Sequence, residues 1–210
     1  MEIVDTIKSL LTQPTKFFAE LPEASFKESF TYYAIILLPY TVLLILASAG
    51  LDLLLGQGPK VFGFIPMPVA GALGWLLSGV LQYAMTITLS LISSVFIWGW
   101  LRLFGAKASY GGAFALGVYS VTPTFIFGWI PLAAVATSIW STVLLIIGTK
   151  ELYGTTTLRA TVMWFIIPFL LVMLAIVTTS YANTSFMFFT SKFFARSIDE
   201  ILVSPTPPWL

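Results

Sequence analysis

Long apolar stretches without charge, separated by short polar or glycine- and proline-rich segments, set the pattern of this chain. The first runs from about Phe30 to Ala49. At 1.5 Å of rise per residue, about 20 residues cross a hydrocarbon core of about 30 Å. The second, Val69–Leu101, carries no charge and is longer than one perpendicular crossing needs. Tilt, a break near Gly79 or an end projecting beyond the bilayer each accommodates the excess. A third stretch covers 112–127 with Pro123 as an internal kink. Gly128-Trp129-Ile130-Pro131 reads as a tight apolar turn, and a fourth stretch follows at 132–149. The fifth covers 160–181 and contains Pro168. The pattern therefore predicts an all-α polytopic membrane protein with five transmembrane helices. Fusing the third and fourth into one span is disfavoured, because Pro123, Gly128 and Pro131 interrupt it.

The flanks have a different period. In 1–28, Ile3, Ile7, Leu10, Leu11, Pro14, Phe17, Phe18 and Leu21 recur at helical spacing, with Glu2, Asp5, Lys8, Lys16 and Glu20 between them. Such a segment is too charged to span and is suited to the headgroup level. In 183–210, Phe186, Phe189, Phe193 and Ile201 alternate with Lys192, Arg196, Asp199 and Glu200. That segment also reads as an interfacial helix, ended by Pro205, Pro207 and Pro208. The organisation expected is an amphipathic segment at 1–28, a transmembrane domain at 29–182 and an amphipathic tail at 183–210. Glycines and prolines between 50 and 68 mark a loop, whose Leu53, Leu54, Leu55, Phe62 and Phe64 suggest that it dips into the interface.

Composition sharpens this picture. Charged residues make up 9% and hydrophobic residues 58%, whereas soluble domains carry roughly 25% charged residues. Lipid is the solvent that suits such a chain. Ala47-Ser48-Ala49 has the small-residue look of a signal-cleavage site. The region before that apolar run carries Glu2, Asp5, Glu20, Glu23 and Glu28, however, and the run is span-length, so a retained helix is expected. Cleavage would leave four spans. With the N-terminus inside, the inner segments hold Lys8, Lys16, Lys27, Arg102, Lys107, Lys150 and Arg159, and the outer ones Lys60, Lys192 and Arg196. The positive-inside rule then predicts a cytoplasmic N-terminus and an outer C-terminus. Tyr32, Tyr33, Trp98, Trp100, Trp129 and Trp164 fall near predicted span ends, as an aromatic belt requires.

The chain has no cysteine and no histidine. Disulfides, thiolate nucleophiles and the commonest neutral-pH base and metal ligand are thereby excluded. No phosphate-binding glycine loop and no clustered basic surface for nucleic acid is present. The expectation is a non-enzymatic protein without cofactor or metal. Its partners are the bilayer and other membrane proteins, with self-association left open.

Three segments carry a family resemblance. Tyr110-Gly111-Gly112-Ala113-Phe114 through Gly117-Val118-Tyr119-Ser120-Val121-Thr122-Pro123 resembles the third-span element of the Yip1-domain family. Pro14-Thr15-Lys16-Phe17-Phe18 resembles the segment ahead of the first span in prokaryotic members, and Gly148–Gly154 with Arg159-Ala160 resembles the loop between spans four and five. Asp52-Leu53-Leu54-Leu55-Gly56 departs from the Asp-Leu-Tyr-Gly-Pro-like element of eukaryotic members, whose long soluble arm is also missing. The resemblance implies a five-helix membrane protein. Eukaryotic relatives are linked to vesicle trafficking and small GTPases, while this compact form looks like a prokaryotic member of the plasma membrane.

Candidate functional residues are polar groups in apolar surroundings. Gln82, Thr86, Ser90 and Ser93 share one face of span two, and Thr137, Ser138, Ser141 and Thr142 form a stripe on span four. Such stripes serve helix packing, or they line a neutral polar pathway for a channel or transporter. Gln82 should point inward, because its amide is costly to leave facing lipid. Tyr119, Ser120 and Pro123 mark a packing kink, a hinge or a partner-binding element. Asp52, just past span one, has the position of an ordinary interfacial carboxylate.

Overall fold

A computed structural model describes residues 3–21, 26–56, 58–61, 65–66, 71–171 and 173. Among the described residues the fold is helical apart from one two-residue β pair. Residues 1–164 form one compact unit and 165–210 a second.

Within the first unit, α1 (Ile3–Thr12) and α2 (Pro14–Glu20) precede the long α3 (Phe26–Leu55). Pro14 occupies the first turn of α2, where its missing N–H leaves no bond unmade. The flanking segment is not left to lipid alone. Leu10, Phe17 and Phe18 are at most 4% exposed, and α2 packs on α7. Helix α3 outruns its predicted span at both ends, because nothing at Ser48-Ala49-Gly50 stops it. It ends at Gly56, whose φ of 64° suits a residue without a Cβ. The expected loop then holds β1 (Lys60–Val61), paired antiparallel with β2 (Ile65–Pro66).

Helix α4 (Gly71–Leu103) is unbroken over 33 residues, about 50 Å at 1.5 Å per residue. It does not break at Gly79. That glycine instead admits the Ile45 side chain, which a Cβ would displace. Gly105, at φ 81°, closes the helix. Gly105 N–H donates to Arg102 O at 2.9 Å and Ala106 N–H to Leu101 O at 3.0 Å, the bond pair of a Schellman end. Arg102 Nε and Trp98 Nε1 both donate to Ala108 O, at 3.2 and 3.1 Å, pinning the following loop.

The predicted third span is two helices, α5 (Tyr110–Ser120) and α6 (Thr122–Phe127). Ser109 caps α5 by accepting from Gly112 N–H at 3.1 Å. Pro123 does not kink a continuous helix, as the sequence suggested. It sits in the first turn of α6, after a break at Val121. Helix α7 (Pro131–Tyr153) ends on Gly154 at φ 62°, and α8 (Thr157–Thr161) leads into a π turn, Val162–Ile166. Trp164 Nε1 donates to Thr149 Oγ1 at 2.7 Å, tying this turn to α7.

Three described helices are long and apolar enough to cross a membrane: Phe26–Asp52, Gly71–Leu103 and Leu132–Tyr153. Leu38, Leu76, Ile92, Phe96, Leu132 and Ile139 are each more than half exposed, the reverse of a water-soluble surface. The second unit is described over 165–171 and at Met173, with Phe165 and Phe169 stacked at 6.2 Å. The rest of the predicted fifth span and the 183–210 tail lie outside the described residues.

Candidate functional site

Helix α5 is the most enclosed element of the first unit. Ala113, Phe114, Ala115 and Leu116 have no exposed surface, and Val118, Tyr119 and Ser120 are buried. Small residues make this possible, since association in lipid depends on close contact. Gly112 lies against the Tyr153 hydroxyl, which would be 2.9 Å from an added Cβ. Gly148 of α7 faces Phe18 and Leu116, with the Phe18 ring 2.9 Å from such a Cβ. Helix α5 thus contacts α3, α4 and α7.

Tyr119 lies among rings. Its centroid is 5.1 Å from Phe17, edge-on, and 5.0 Å from Tyr32. Tyr32 OH and Thr122 Oγ1 are 3.0 Å apart, and Thr122 Oγ1 is 3.3 Å from Val118 O. If Thr122 donates to the carbonyl, Tyr32 donates to Thr122, and both hydroxyls are satisfied across the break. Ser120 is fully buried and its hydroxyl has no hydrogen-bond partner. Its position uses its size. The motif thereby joins α2, α3, α5 and α6 as one packed junction.

Tyr32 and Tyr33 are 6% and 1% exposed, so neither belongs to an aromatic belt. Tyr33 belongs to a face of α3 that also carries Phe26, Phe30, Leu37 and Tyr40. Phe26 lies 4.9 Å from Phe114, and Tyr33 and Tyr40 lie 5.5 and 5.3 Å from Phe125. Steps of four, three, four and three were the available signal. It was masked because positions 34–39 are apolar on every side of the helix.

The polar stripe of α4 grades from inside to outside. Gln82 is buried, Thr86 and Ser90 are half-buried, and Ser93 is exposed. Thr86, Ser90 and Ser93 donate to the carbonyls of Gln82, Thr86 and Ser90 at 2.7, 2.7 and 3.0 Å. Tyr33 OH reaches across to Ser90 Oγ and to Thr86 O, the latter at 3.3 Å. On α7, Thr137 and Ser138 both bond to Ala134 O and Thr142 to Ser138 O. Ser141 pairs with Thr124 of α6 at 3.1 Å. The stripes are not brought together as a shared pathway. Helix α4 packs chiefly on α3 and α5, and α7 on α2, α5, α6 and α8. Asp52 is the carboxylate of a turn, accepting from Gly58 N–H.

A cavity of about 390 Å³ opens where α3, α4, α6 and β1 approach one another. Ser48, Lys60, Gln82 and Thr86 are polar residues of its lining. Tyr40, Trp75 and Phe125 supply aromatic wall. Lys60, Ser48 and Trp75 were not singled out from the sequence, because the pairing of β1 with β2 is what brings a loop lysine to this place.

The opposite end of the bundle gathers the cations. Tyr110 stands 5.7 Å from Phe26, Gly112 meets Tyr153, and Ala108 is bonded by Arg102. The start of α3, the end of α4, the start of α5 and the end of α7 therefore share one end. Lys27, Arg102, Lys107 and Lys150 lie there, all exposed.

A bundle of long helices with apolar outer faces, wrapped round a buried small-residue helix, defines a polytopic membrane protein. The Yip1 domain model matches residues 8–179, and the chain belongs to the Yip1-domain family. No curated protein and no solved structure matches the chain.

Proposed function

We propose that this Yip1-family protein is non-enzymatic and acts in membrane organisation through helix packing and through interaction with partner proteins or lipid. The observation that carries the reading is the use made of the family element. Residues 113–116 and 118–120 are buried against neighbouring helices, and the Tyr32 and Thr122 hydroxyls are satisfied by each other and the backbone. A nucleophile paired with a base would need a different arrangement.

Five crossings belong to the same proposal. The third is α5 with α6, 110–127, about 27 Å long at 1.5 Å per residue. Neither half is span-length alone, because of the break at Val121. The fifth is 160–181. The gathering of Lys27, Arg102, Lys107 and Lys150 at one end, with Lys60 at the other, supports a cytoplasmic N-terminus and an outer C-terminus. We place the protein in the plasma membrane. Crosslinking of the full chain in its native membrane, followed by pull-down, should recover a protein or lipid partner above an unrelated polytopic control. Recovery equal to the control would contradict the reading.

One observation favours a second reading, a channel or transporter with a neutral polar path. It is the cavity lined by Gln82 and Thr86. Tyr33, bonded to Thr86 and Ser90, and Phe125 at 5.5 Å from it, oppose continuation of that cavity through the bundle. Solute flux into proteoliposomes above that of empty vesicles, increased by Tyr33→Ala, would support transport. Flux equal to empty vesicles would remove it.

A further inference from the structure

Helix α4 ends in a cation whose place is fixed. Arg102 Nε donates to Ala108 O at 3.2 Å, and the same carbonyl accepts from Trp98 Nε1 at 3.1 Å. The guanidinium carbon lies 4.7 Å from the centroid of the Trp98 ring, within the range of a cation–π contact. The side chain is thus held from two sides before any ligand arrives. Among the described residues, its two terminal nitrogens have no hydrogen-bond partner and no carboxylate pairs with it. Lys107 precedes Ala108, so its backbone lies beside the guanidinium. It is exposed, and among the described residues its ammonium has no partner. Lys150, at the same end, differs, because Glu151 holds it at 2.9 Å.

Below Arg102, its face of α4 is apolar and uncovered. Ile92, Val95, Gly99 and Arg102 follow one another at steps of three, four and three. Ile92 and Val95 are 61% and 52% exposed. Gly99 is exposed too, with open space where a Cβ would stand. The cation therefore tops a stripe that lipid would cover, at the level where exposed hydrocarbon gives way to charge.

We propose that this stripe and its two cations form a binding site for an anionic phospholipid. The lipid phosphate sits on the Arg102 guanidinium, with Lys107 within reach as a second cation. An acyl chain lies along Gly99, Val95 and Ile92. Charge complementarity argues for the headgroup, since the planar fork of the guanidinium matches two phosphate oxygens. A zwitterionic headgroup would bring its own cation toward Lys107 and bind more weakly. The stripe argues for a lipid, because a soluble anion makes no use of it. This inference rests on the lipid-interaction side of the function proposed above, and names its site and its ligand class.

The test follows lipid binding to the full chain in detergent micelles by native mass spectrometry, with phosphatidylglycerol titrated against phosphatidylcholine. Phosphatidylglycerol should bind about fivefold tighter or more. Lys107→Gln should weaken it about fivefold, the scale of one basic side chain at an anionic surface. Arg102→Gln should weaken it about tenfold or more, because an oriented fork is lost. Lys150→Gln should change it less than about twofold, since that charge is already paired. Lys107 makes no described side-chain bond, so Lys107→Gln keeps the test valid if Arg102→Gln fails to fold. Inorganic phosphate and glycerol phosphate should not displace the lipid. Equal affinity for the two lipids, or equal losses in Lys107→Gln and Lys150→Gln, would overturn the site in favour of diffuse surface charge. Displacement by inorganic phosphate would make it a free-anion site and overturn the lipid assignment. Any of these results, with partners still recovered by crosslinking, would leave the broader reading standing.

Discussion

The two ends of the α3 helix face different interiors. Toward its N-terminus, Tyr32 and Tyr33 meet α5 and α6 in a junction with hardly any exposed surface. Toward its C-terminus, Tyr40, Ile45 and Ser48 border open volume. The difference comes from what opposes the helix. At the first end stands α5, whose Gly112, Ala113, Ala115 and Gly117 permit close approach on several sides. At the second, α6 has ended its run against Tyr40 and a short β pair replaces a helix. In lipid, helices associate through packing and not through hydrophobic burial. A bundle closes where its residues are small and stays open where a loop takes the place of a helix. The family element therefore builds the closed end, and the partly polar cavity lies at the open one.

Substitutions at the two ends should separate them. Phe114→Ala should have the largest effect, about 2–4 kcal/mol of lost stability in reversible unfolding from detergent micelles. That is below the range for soluble cores, because lipid or detergent and not water is the reference. Gly148→Leu should cost about 1–3 kcal/mol by overpacking against Phe18 and Leu116. Tyr32→Phe removes one interhelical hydrogen bond and should cost about 0.6 kcal/mol. Ser120→Ala should be neutral or slightly stabilising, since a buried hydroxyl without a partner is removed. A loss above about 1 kcal/mol there would show that Ser120 makes a bond that the packed junction lacks. Gln82→Leu at the open end should cost no more than about 1 kcal/mol, the scale of one hydrogen bond. A cost matching that of Phe114→Ala would erase the contrast.

Much of this architecture was legible in the sequence. The α4 and α7 spans were readable because charge or glycine and proline bound them, and Gly128–Pro131 does separate α6 from α7. Legibility failed where every position is apolar. Tyr32 and Tyr33 near a span end look like belt residues, and only the presence of α5 and Phe125 opposite makes them core. Pro123 fitted a kink equally well as a helix start, because both require the same missing N–H. Phe17 and Phe18 showed amphipathic spacing, but periodicity does not say whether the apolar face meets lipid or α7. The cavity was least legible, since Lys60 and Gln82 are 22 residues apart in sequence and border one space only once β1 pairs with β2.

The absence of cysteine makes one measurement direct. Single cysteines at Ser48, Gln82, Ser120 and Thr122 can be challenged in sealed vesicles with a membrane-impermeant maleimide, added from either side. Lys60→Cys and Lys107→Cys mark the two surfaces. Ser48→Cys and Gln82→Cys should react from the side that labels Lys60→Cys. Ser120→Cys and Thr122→Cys should react from neither. Rapid labelling at Ser120 or Thr122, or protection of both Ser48 and Gln82, would contradict the division into a closed family core and an open polar cavity.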